Sequence, residues 1–332
     1  MDEFSRSPLP RKSSGNLDRT DRNATFPLRF LTRRAALAGL IVSGSLAFSR
    51  WPAVPAEAII TRTIPSTGEP LPALGLGSWI TFNVGNDPEL RRECVAVIEA
   101  FFRSGGRMID SSPMYGSSQE VIGHALKTIP ASTDLFAADK VWTPSGIDGP
   151  SQLEASRAFW GIARFDLLQV HNLLSWENHL PTLLAMKEAG KVRYIGITTS
   201  EGRRHAEFER VMKSQPIDFV QLTYNPVDRE AEERIFPLAQ DRGLAVIANR
   251  PFQQGALLER LQPHPLPAWS AEIGALSWPQ LILKFIISNP AVTCAIPATS
   301  KVAHVRENMQ ALHGPLPDVP MRNSLASYIE NL

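Results

Sequence analysis

From Ile59 to the C-terminus, short runs of aliphatic and β-branched residues alternate with longer amphipathic segments, and this rhythm restricts the fold more than any other feature. Strand-length runs separated by helix-length segments leave room for crossover connections, so successive strands can lie parallel in one sheet. Eight runs fit strands: 74–79, 107–110, 134–138, 165–170, 192–198, 219–222, 244–248 and 292–296. The pattern predicts a helix over 89–103, with Val95, Ile98, Phe101 and Phe102 near one face and a stop at Gly105-Gly106. Further helices are predicted over 180–189, ending at Gly190, and over 230–242, ending at Gly243. A fourth, over 278–288, is kept from running into the last strand by Pro290. Eight strands, each followed by a helix or a long loop, fit a closed α/β fold, the (β/α)8 TIM barrel, better than an open sheet.

Two segments lie outside that repeat. Residues 59–63 and 69–71 flank the turn Pro65-Ser66-Thr67-Gly68, the pattern of an N-terminal β-hairpin that would cap the barrel bottom. Residues 253–277 carry Pro263, Pro265 and Pro267 and are too long for a plain connection, which marks a functional loop.

Residues 1–32 are polar and have no apolar period that could bury a face, so they are expected to be mobile. Arg33-Arg34, the small and apolar stretch 35–48, and Ala56-Glu57-Ala58 then give the layout of a secretory signal whose middle is too short for an ordinary membrane span. The paired arginines resemble the twin-arginine export signal of bacteria. The expected organisation is a lead plus signal peptide over 1–58 and a barrel over 59–332, exported to the periplasm, with contact to the export machinery through the signal. An uncleaved membrane anchor or a short core helix are the alternatives, and if the signal is unused the protein stays cytoplasmic.

Lys and Arg number 34 against 33 Asp and Glu, a net charge of +1 without a basic stripe, which argues against nucleic acid as partner. Cys94 and Cys294 belong to no metal-like or redox-like pair and read as buried small hydrophobes. A monomer is the expected state.

The chemistry gathers at strand ends, because the C-terminal ends of parallel barrel strands form the active face. Asp110 ends the second predicted strand, Tyr115 lies in the loop after it, Lys140 follows the third strand and His171 follows the fourth. A free phenol has a pKa near ~10 and is a poor acid toward a developing alkoxide unless a nearby cation stabilises its phenolate. Lys140 can supply that cation, and Asp110 can keep it charged. His171 can donate from a ring nitrogen to a carbonyl oxygen. Side chains cannot supply hydride, so the set calls for a reduced cofactor. Each residue alone also has a structural reading as turn, cap or packing residue; the combination at three successive strand ends carries the argument.

At this point the chain, from Ile59 onward, resembles the aldo/keto reductase superfamily. The matching stretches are Leu74-Gly75-Leu76-Gly77-Ser78-Trp79, residues 109–123, Asp139-Lys140-Val141-Trp142, Asp166-Leu167-Leu168-Gln169-Val170-His171, residues 190–196, and Ile296-Pro297-Ala298-Thr299-Ser300-Lys301. The resemblance implies NAD(P)H-dependent reduction of an aldehyde or ketone to an alcohol. It makes Tyr115 the general acid, with Lys140 lowering its pKa, Asp110 pairing with Lys140, and His171 positioning the carbonyl. The cofactor, NADPH with NADH possible, would lie across the barrel mouth without a Rossmann fold. Implied cofactor contacts are Gly77, Ser78, Thr198, Thr199 and Gln221 at the nicotinamide end, and Arg250, Pro251, Phe252 and Gly255 over the pyrophosphate. Thr299, Ser300, Lys301, His304, Glu307 and Asn308 resemble the adenosine site. Trp79 and Trp142 align with substrate walls for an apolar carbonyl compound; Trp176, in the loop after His171, is a further candidate.

Two departures stand out. Asn249 occupies the place where many members stack a tyrosine on the nicotinamide, which leaves Phe252 to stack or nothing. Ala298 and His304 stand where some members carry Lys and Arg for the 2′-phosphate, so Lys301 or Arg306 would have to substitute and any preference for NADPH would be modest. Competing readings are a nucleotide-binding sensor or accessory subunit with little turnover, and a metal-dependent barrel hydrolase using His171. The latter is disfavoured because His124, His179 and His205 fall in predicted helices or loops, and no metal is expected.

Overall fold

The computed structural model of the protein describes residues 58–129 and 134–332. The predicted mobile lead and export signal therefore lie outside the described residues except for Ala58. The chain enters through an antiparallel hairpin of β1 (Thr61–Thr63) and β2 (Pro70–Pro72), with Thr61 opposite Pro72 and Thr63 opposite Pro70. In its turn the Ile64 carbonyl accepts from the backbone N–H of Thr67 and Gly68 at 3.2 and 2.8 Å. Gly68 sits at φ 74°, a conformation that costs glycine little.

Eight parallel strands follow: β3 (Leu76–Gly77), β4 (Met108–Asp110), β5 (Phe136–Val141), β6 (Phe165–Val170), β7 (Val192–Thr198), β8 (Phe219–Thr223), β9 (Ala245–Asn249) and β10 (Val292–Ala295). They pair in chain order. The ring is closed by isolated bridges between Leu74 and Ala295 and between Gly77 and Ala298. Across that seam Gly75 N donates to Ala295 O at 2.8 Å and Gly77 N to Pro297 O at 3.0 Å. The helices are α1 (Pro88–Arg103), α2 (Ser118–Thr128), α3 (Gly149–Trp160), α4 (Trp176–Glu188), α5 (His205–Ser214), α6 (Ile235–Asp241), α7 (Ala256–Leu261), α8 (Trp278–Ser288), α9 (Val302–Met309) and α10 (Val319–Glu330). The structure is the expected (β/α)8 barrel.

Local chemistry explains the main elements. Asp87 starts α1 by accepting from Glu89 N and Leu90 N at 2.9 and 3.0 Å, with Pro88 in the first turn, where its missing N–H costs nothing. Helix α2 packs so closely on the end of α3 that a Cβ on Gly123 would lie 1.9 Å from Phe159 O. Between strands and helices, Ile109, Val141, Leu168, Ile195 and Val220 pack with Ile98, Phe101, Ile122, Phe208 and Phe285 in one continuous core. Each such side chain contributes about 1.5–3 kcal/mol on full burial.

A second buried cluster lies in the barrel interior: Met108, Phe136, Ala138, Leu167, Tyr194, Phe219, Ala245, Ile247, Cys294 and Ile296, together with Ile64 and Leu71 of the hairpin segment. The hairpin thus covers the bottom. It is tied there by Tyr194 Oη, which donates to Glu69 Oε2 at 2.9 Å, and by Arg193, which bridges Glu69 and Asp166. Two residues further along the same alternating phase stand Asp110, Lys140, Gln169 and Gln221. The interior is therefore apolar below and polar at the mouth.

Several local details differ from the sequence reading. Strand β5 runs on to Val141 and includes Lys140, paired in register with Gln169, because the buried ammonium finds its counter-ion inside the barrel. Residues 230–242 split into a 3-10 turn, Glu230–Glu232, and α6; Pro237 cannot donate back to the preceding turn. Helix α4 begins at Trp176, earlier than predicted, and continues through Pro181. The proline-rich segment contains α7 and a 3-10 run, Ala268–Ile273. Cys94 and Cys294 are free and buried. Among the described residues no helix is long and apolar enough to cross a membrane.

Candidate active site

Four strands deliver the polar ring at the mouth. Asp110 Oδ2, at the end of β4, accepts from Lys140 Nζ at 2.5 Å, while Oδ1 accepts from Gln221 Nε2 at 3.0 Å and more loosely from Gln169 Nε2 at 3.4 Å. Lys140 is fully buried and also donates to Ser111 O at 2.8 Å. Burial works against its charge, but Asp110 and the nearby Tyr115 oxygen outweigh it and hold the ammonium above its ordinary value. A buried pair is tolerable when further hydrogen bonds satisfy both ions, and here two amides and a carbonyl do so. Ser78 Oγ donates to the Asp110 carbonyl at 2.8 Å, which fixes the strand end itself.

Tyr115 lies in the loop after β4, with Lys140 Nζ 5.3 Å from its ring centroid. Burial pushes the phenol above its ordinary value; Lys140 pulls it back, but by less. This differs from the net lowering that the resemblance implies, and the reason is desolvation of the phenolate. The hydroxyl consequently keeps its proton at neutral pH.

His171 opens a 3-10 turn after β6, its ring edge-on to Tyr115 with centroids 5.6 Å apart. Its Nδ1 is 2.7 Å from Ser112 Oγ. Burial first, and the Lys140 charge second, push its pKa well below the usual histidine value, so the imidazole is neutral.

These groups border a cavity of about 500 Å³ over the barrel mouth. Of the residues singled out in the sequence, Gly77, Ser78, Trp79, Asp110, Tyr115, His171, Thr198, Gln221, Arg250, Pro251, Phe252, Gly255, Thr299, His304, Glu307 and Asn308 line it. Lys140 stands behind Asp110, out of the cavity. Thr199 does not line it either, since its hydroxyl is turned to Arg203 O at 2.5 Å. Ser300 and Lys301 are exposed beyond Thr299 and do not line the cavity, and Trp142, 40% exposed, also stands outside it. Trp176 is held by Glu207, with Nε1 3.0 Å from Oε1, and is also outside.

The sequence reading did not single out Ile80, Met114, Ser200, Glu201, Arg203, Gln254 and Leu258 as lining residues, nor Gln169 as an Asp110 partner. Gln169 carried a signal: it shares the inward phase of its strand and precedes His171 by two residues. The loop residues carried none, because loops have no fixed period.

The aldo/keto reductase family profile matches residues 73–323. The chain belongs to this family. It is 26% identical over 247 residues to methylglyoxal reductase YeaE of Escherichia coli strain K12, covering 73% of this chain and 86% of that protein. It is 27% identical over 223 residues to an NADH-specific methylglyoxal reductase of the same organism, covering 56% and 65%. Among solved structures, an aldo/keto reductase of Klebsiella pneumoniae in complex with NADP and acetate superposes with a TM-score of 0.68 at 23% identity, covering 79% of this chain and 93% of that one.

In this aldo/keto reductase the departure at Asn249 has a structural counterpart. Its Nδ2 donates to Thr199 O at 2.9 Å and its Oδ1 accepts from Thr223 Oγ1 at 2.8 Å, tying three strand ends together beside the cavity. Residues 250–255 then cross the mouth with Arg250, Gln253, Gln254 and Gly255 at positive φ. Arg250 Nη1 pairs with Glu201 Oε1 at 2.9 Å. At the far end Thr299 Oγ1 lies 3.3 Å from His304 Nδ1. The cavity suits an extended dinucleotide: it has polar groups at both ends and an arginine between, and Gln221 has one amide hand on Asp110 while its oxygen has no protein partner among the described residues. Among the described residues no group of three or more His, Cys, Asp and Glu is placed to hold a metal ion, and His124, His179 and His205 lie in α2, α4 and α5.

Proposed function

We propose that this aldo/keto reductase draws the proton for NAD(P)H-dependent carbonyl reduction from the Tyr115 hydroxyl, with Lys140 and Asp110 as the charged pair behind it and His171 as donor to the carbonyl oxygen. The observation that carries the assignment is the buried Lys140–Asp110 pair at 2.5 Å, with its ammonium set against the Tyr115 ring. When bound, the reduced nicotinamide supplies the hydride. Tyr115 meets the carbonyl oxygen protonated, because burial holds its pKa up. As negative charge grows on that oxygen the phenol becomes the weaker holder of the proton, and the phenolate left behind faces the Lys140 ammonium. Asp110 keeps that ammonium charged, and neutral His171 contributes a hydrogen bond without competing for the proton.

For the cofactor, Gly77, Ser78, Thr198 and Gln221 are assigned to the nicotinamide end, with Thr199 supporting them from behind. Arg250, Pro251, Phe252 and Gly255 are assigned to the pyrophosphate, and Thr299, His304, Glu307 and Asn308 to the adenosine, with Ser300 and Lys301 at its outer edge. NADPH is preferred and NADH accepted, in keeping with one relative named NADH-specific and a neighbouring structure bound to NADP. Trp79, Ile80 and Met114 give the substrate end apolar walls. Because curated relatives are methylglyoxal reductases, small 2-oxoaldehydes head the substrate class, with Trp142 in reach only of larger carbonyl compounds.

The test is oxidation of NADPH and of NADH, followed by nicotinamide absorbance, with methylglyoxal and a panel of aldehydes and quinones. Tyr115→Phe is expected to bind cofactor but lose turnover. Turnover unchanged in that variant would sink the assignment.

Residues 1–58 are proposed as a twin-arginine-type leader that sends the folded enzyme to the periplasm. Arg33-Arg34, the apolar run and Ala56-Glu57-Ala58 support this. So does the start of the packed body at Ile59 and at Ile60, whose N–H donates to Leu312 O at 2.9 Å. Fractionating cells that express the chain and its Arg33→Lys, Arg34→Lys variant tests it: equal distribution of the two would refute the reading.

A further inference from the structure

Ser112 is a fully buried hydroxyl that touches the histidine of the site without lining the cavity. Pro113 follows it and biases it toward extended backbone, which carries it on past the end of β4 toward His171. Among the described residues its Oγ has two polar neighbours: His171 Nδ1 at 2.7 Å and the backbone N–H of Met114 at 3.2 Å. The amide can only donate. The hydroxyl proton therefore has one acceptor, the ring nitrogen.

From this geometry we infer that Ser112 is a positioning residue, which holds His171 in the tautomer with Nδ1 bare and the proton on Nε2. The inference rests on the proposed role of His171 as donor to the carbonyl oxygen. The opposite tautomer would strand the Ser112 proton in a buried site with no acceptor. It would also leave a lone pair on Nε2, the ring nitrogen without a protein partner among the described residues, where the carbonyl oxygen needs a donor. Charge cannot replace the tautomer choice, because the imidazole stays neutral beside Lys140. One hydroxyl thus decides whether the histidine attracts or repels the substrate oxygen.

The experiment reads the imidazole nitrogens directly. In the full chain labelled with nitrogen-15 histidine, the signal of His171, assigned with a His171→Gln variant, is expected to show a protonated Nε2 and a bare Nδ1 at neutral pH. Ser112→Ala is expected to give a mixed or inverted tautomer and a kcat/KM for methylglyoxal lower by about tenfold, short of the roughly 10²–10³ seen when an oxyanion donor is lost outright. The fall should lie mainly in kcat, with NADPH affinity unchanged, and Ser112→Thr, which restores a hydroxyl, should recover it. A proton on Nδ1 in the unaltered protein, or the same tautomer with and without the hydroxyl, overturns the inference, and the first of these needs no variant to fold. A locked imidazole in a protein that turns over no carbonyl compound supports the tautomer assignment and counts against the reductase reading instead.

Discussion

Lys140→Met is the most demanding perturbation of the proposed site. Methionine fills a similar apolar volume but leaves Asp110, 2% exposed, facing only the amides of Gln221 and Gln169, and leaves Ser111 O without its donor. Removing one partner of a buried pair costs about 3–5 kcal/mol, since the remaining charge stays desolvated. For a body of this size that corresponds to a fall in Tm of roughly 10 °C. Activity is expected to fall further than stability explains. The phenol loses the cation that opposes its burial, and the proton-transfer advantage, roughly 10²–10⁴ in rate, goes with it. Asp110→Asn should be similarly costly to stability, because it leaves the ammonium unpaired. The double variant should be less destabilised than the sum of the two by more than about 1 kcal/mol, because no buried charge is left over. Calorimetry together with NADPH oxidation at neutral pH measures both effects. A Lys140→Met protein within about 2 °C of the parent, with kcat within tenfold, would refute the account of the pair as both structural counter-ion and proton-transfer partner.

Reduction should show a flat pH profile through neutrality: His171 is pushed well below its ordinary value and Tyr115 above its own, so neither changes charge there, and a limb near the ordinary histidine pKa would contradict this. Asp139, fully buried behind Lys140, has its carboxyl pushed by burial from 3.8 to about 7. The folded state therefore binds this proton more tightly than the unfolded one, and the stabilisation, at most about 4 kcal/mol, is present below the unfolded value and lost as pH rises through the folded one. Asp139→Asn should flatten that dependence and raise the Tm at alkaline pH, since Gln119 can turn its amide and still join residue 139 to Ser156; an Asn variant less stable than the parent there would count against it. Gly123→Ala should destabilise by about 1–3 kcal/mol, because its Cβ meets the Phe159 carbonyl, a backbone atom that cannot swing aside; unchanged urea unfolding would show that α2 and α3 separate more easily than their packing suggests.

The eight strands were legible because each is a short, largely apolar run set between amphipathic or turn segments, and α8 was predicted to its observed ends because its apolar face repeats at helical spacing and Pro290 stops it. Where the signal was mixed, the reading slipped. A lysine looks like the end of a strand, and only the presence of Asp110 across the barrel makes Lys140 an interior residue. A glutamate-rich start looks helical, yet Glu232 is drawn to Arg229, Arg322 and Tyr224, and Pro237 forces the helix to begin afresh. In the site, Asp110, Lys140 and His171 were placed by standing at or just past predicted strand ends, and Thr198 and Gln221 by the resemblance alone. Orientation at the strand exit was not legible: Thr198 and Thr199 are neighbours, but the first faces the cavity and the second, just past β7, bonds the loop behind it. Lys140 favours the phenolate wherever it stands, but whether the phenol ends above or below its ordinary value depends on burial, which no spacing reveals.

The ring of strands is not equally strong all the way round. Seven of its joints are named ladders, the one between β9 and β10 slipping register between Val292 and Cys294, whereas β10 meets the first strand region through isolated bridges, and Gly77 and Ala298 on either side of that seam both line the cavity. The barrel therefore resembles a hoop whose clasp lies under its own cargo. Backbone amides of Gly75 and Gly77 should be the first of the barrel ring to exchange with solvent, and anything that fills the cavity bears on both halves of the clasp and holds it shut. Occupancy of the mouth is thereby converted into rigidity of the whole ring, so the protein is at its most vulnerable to heat and proteases when it is empty.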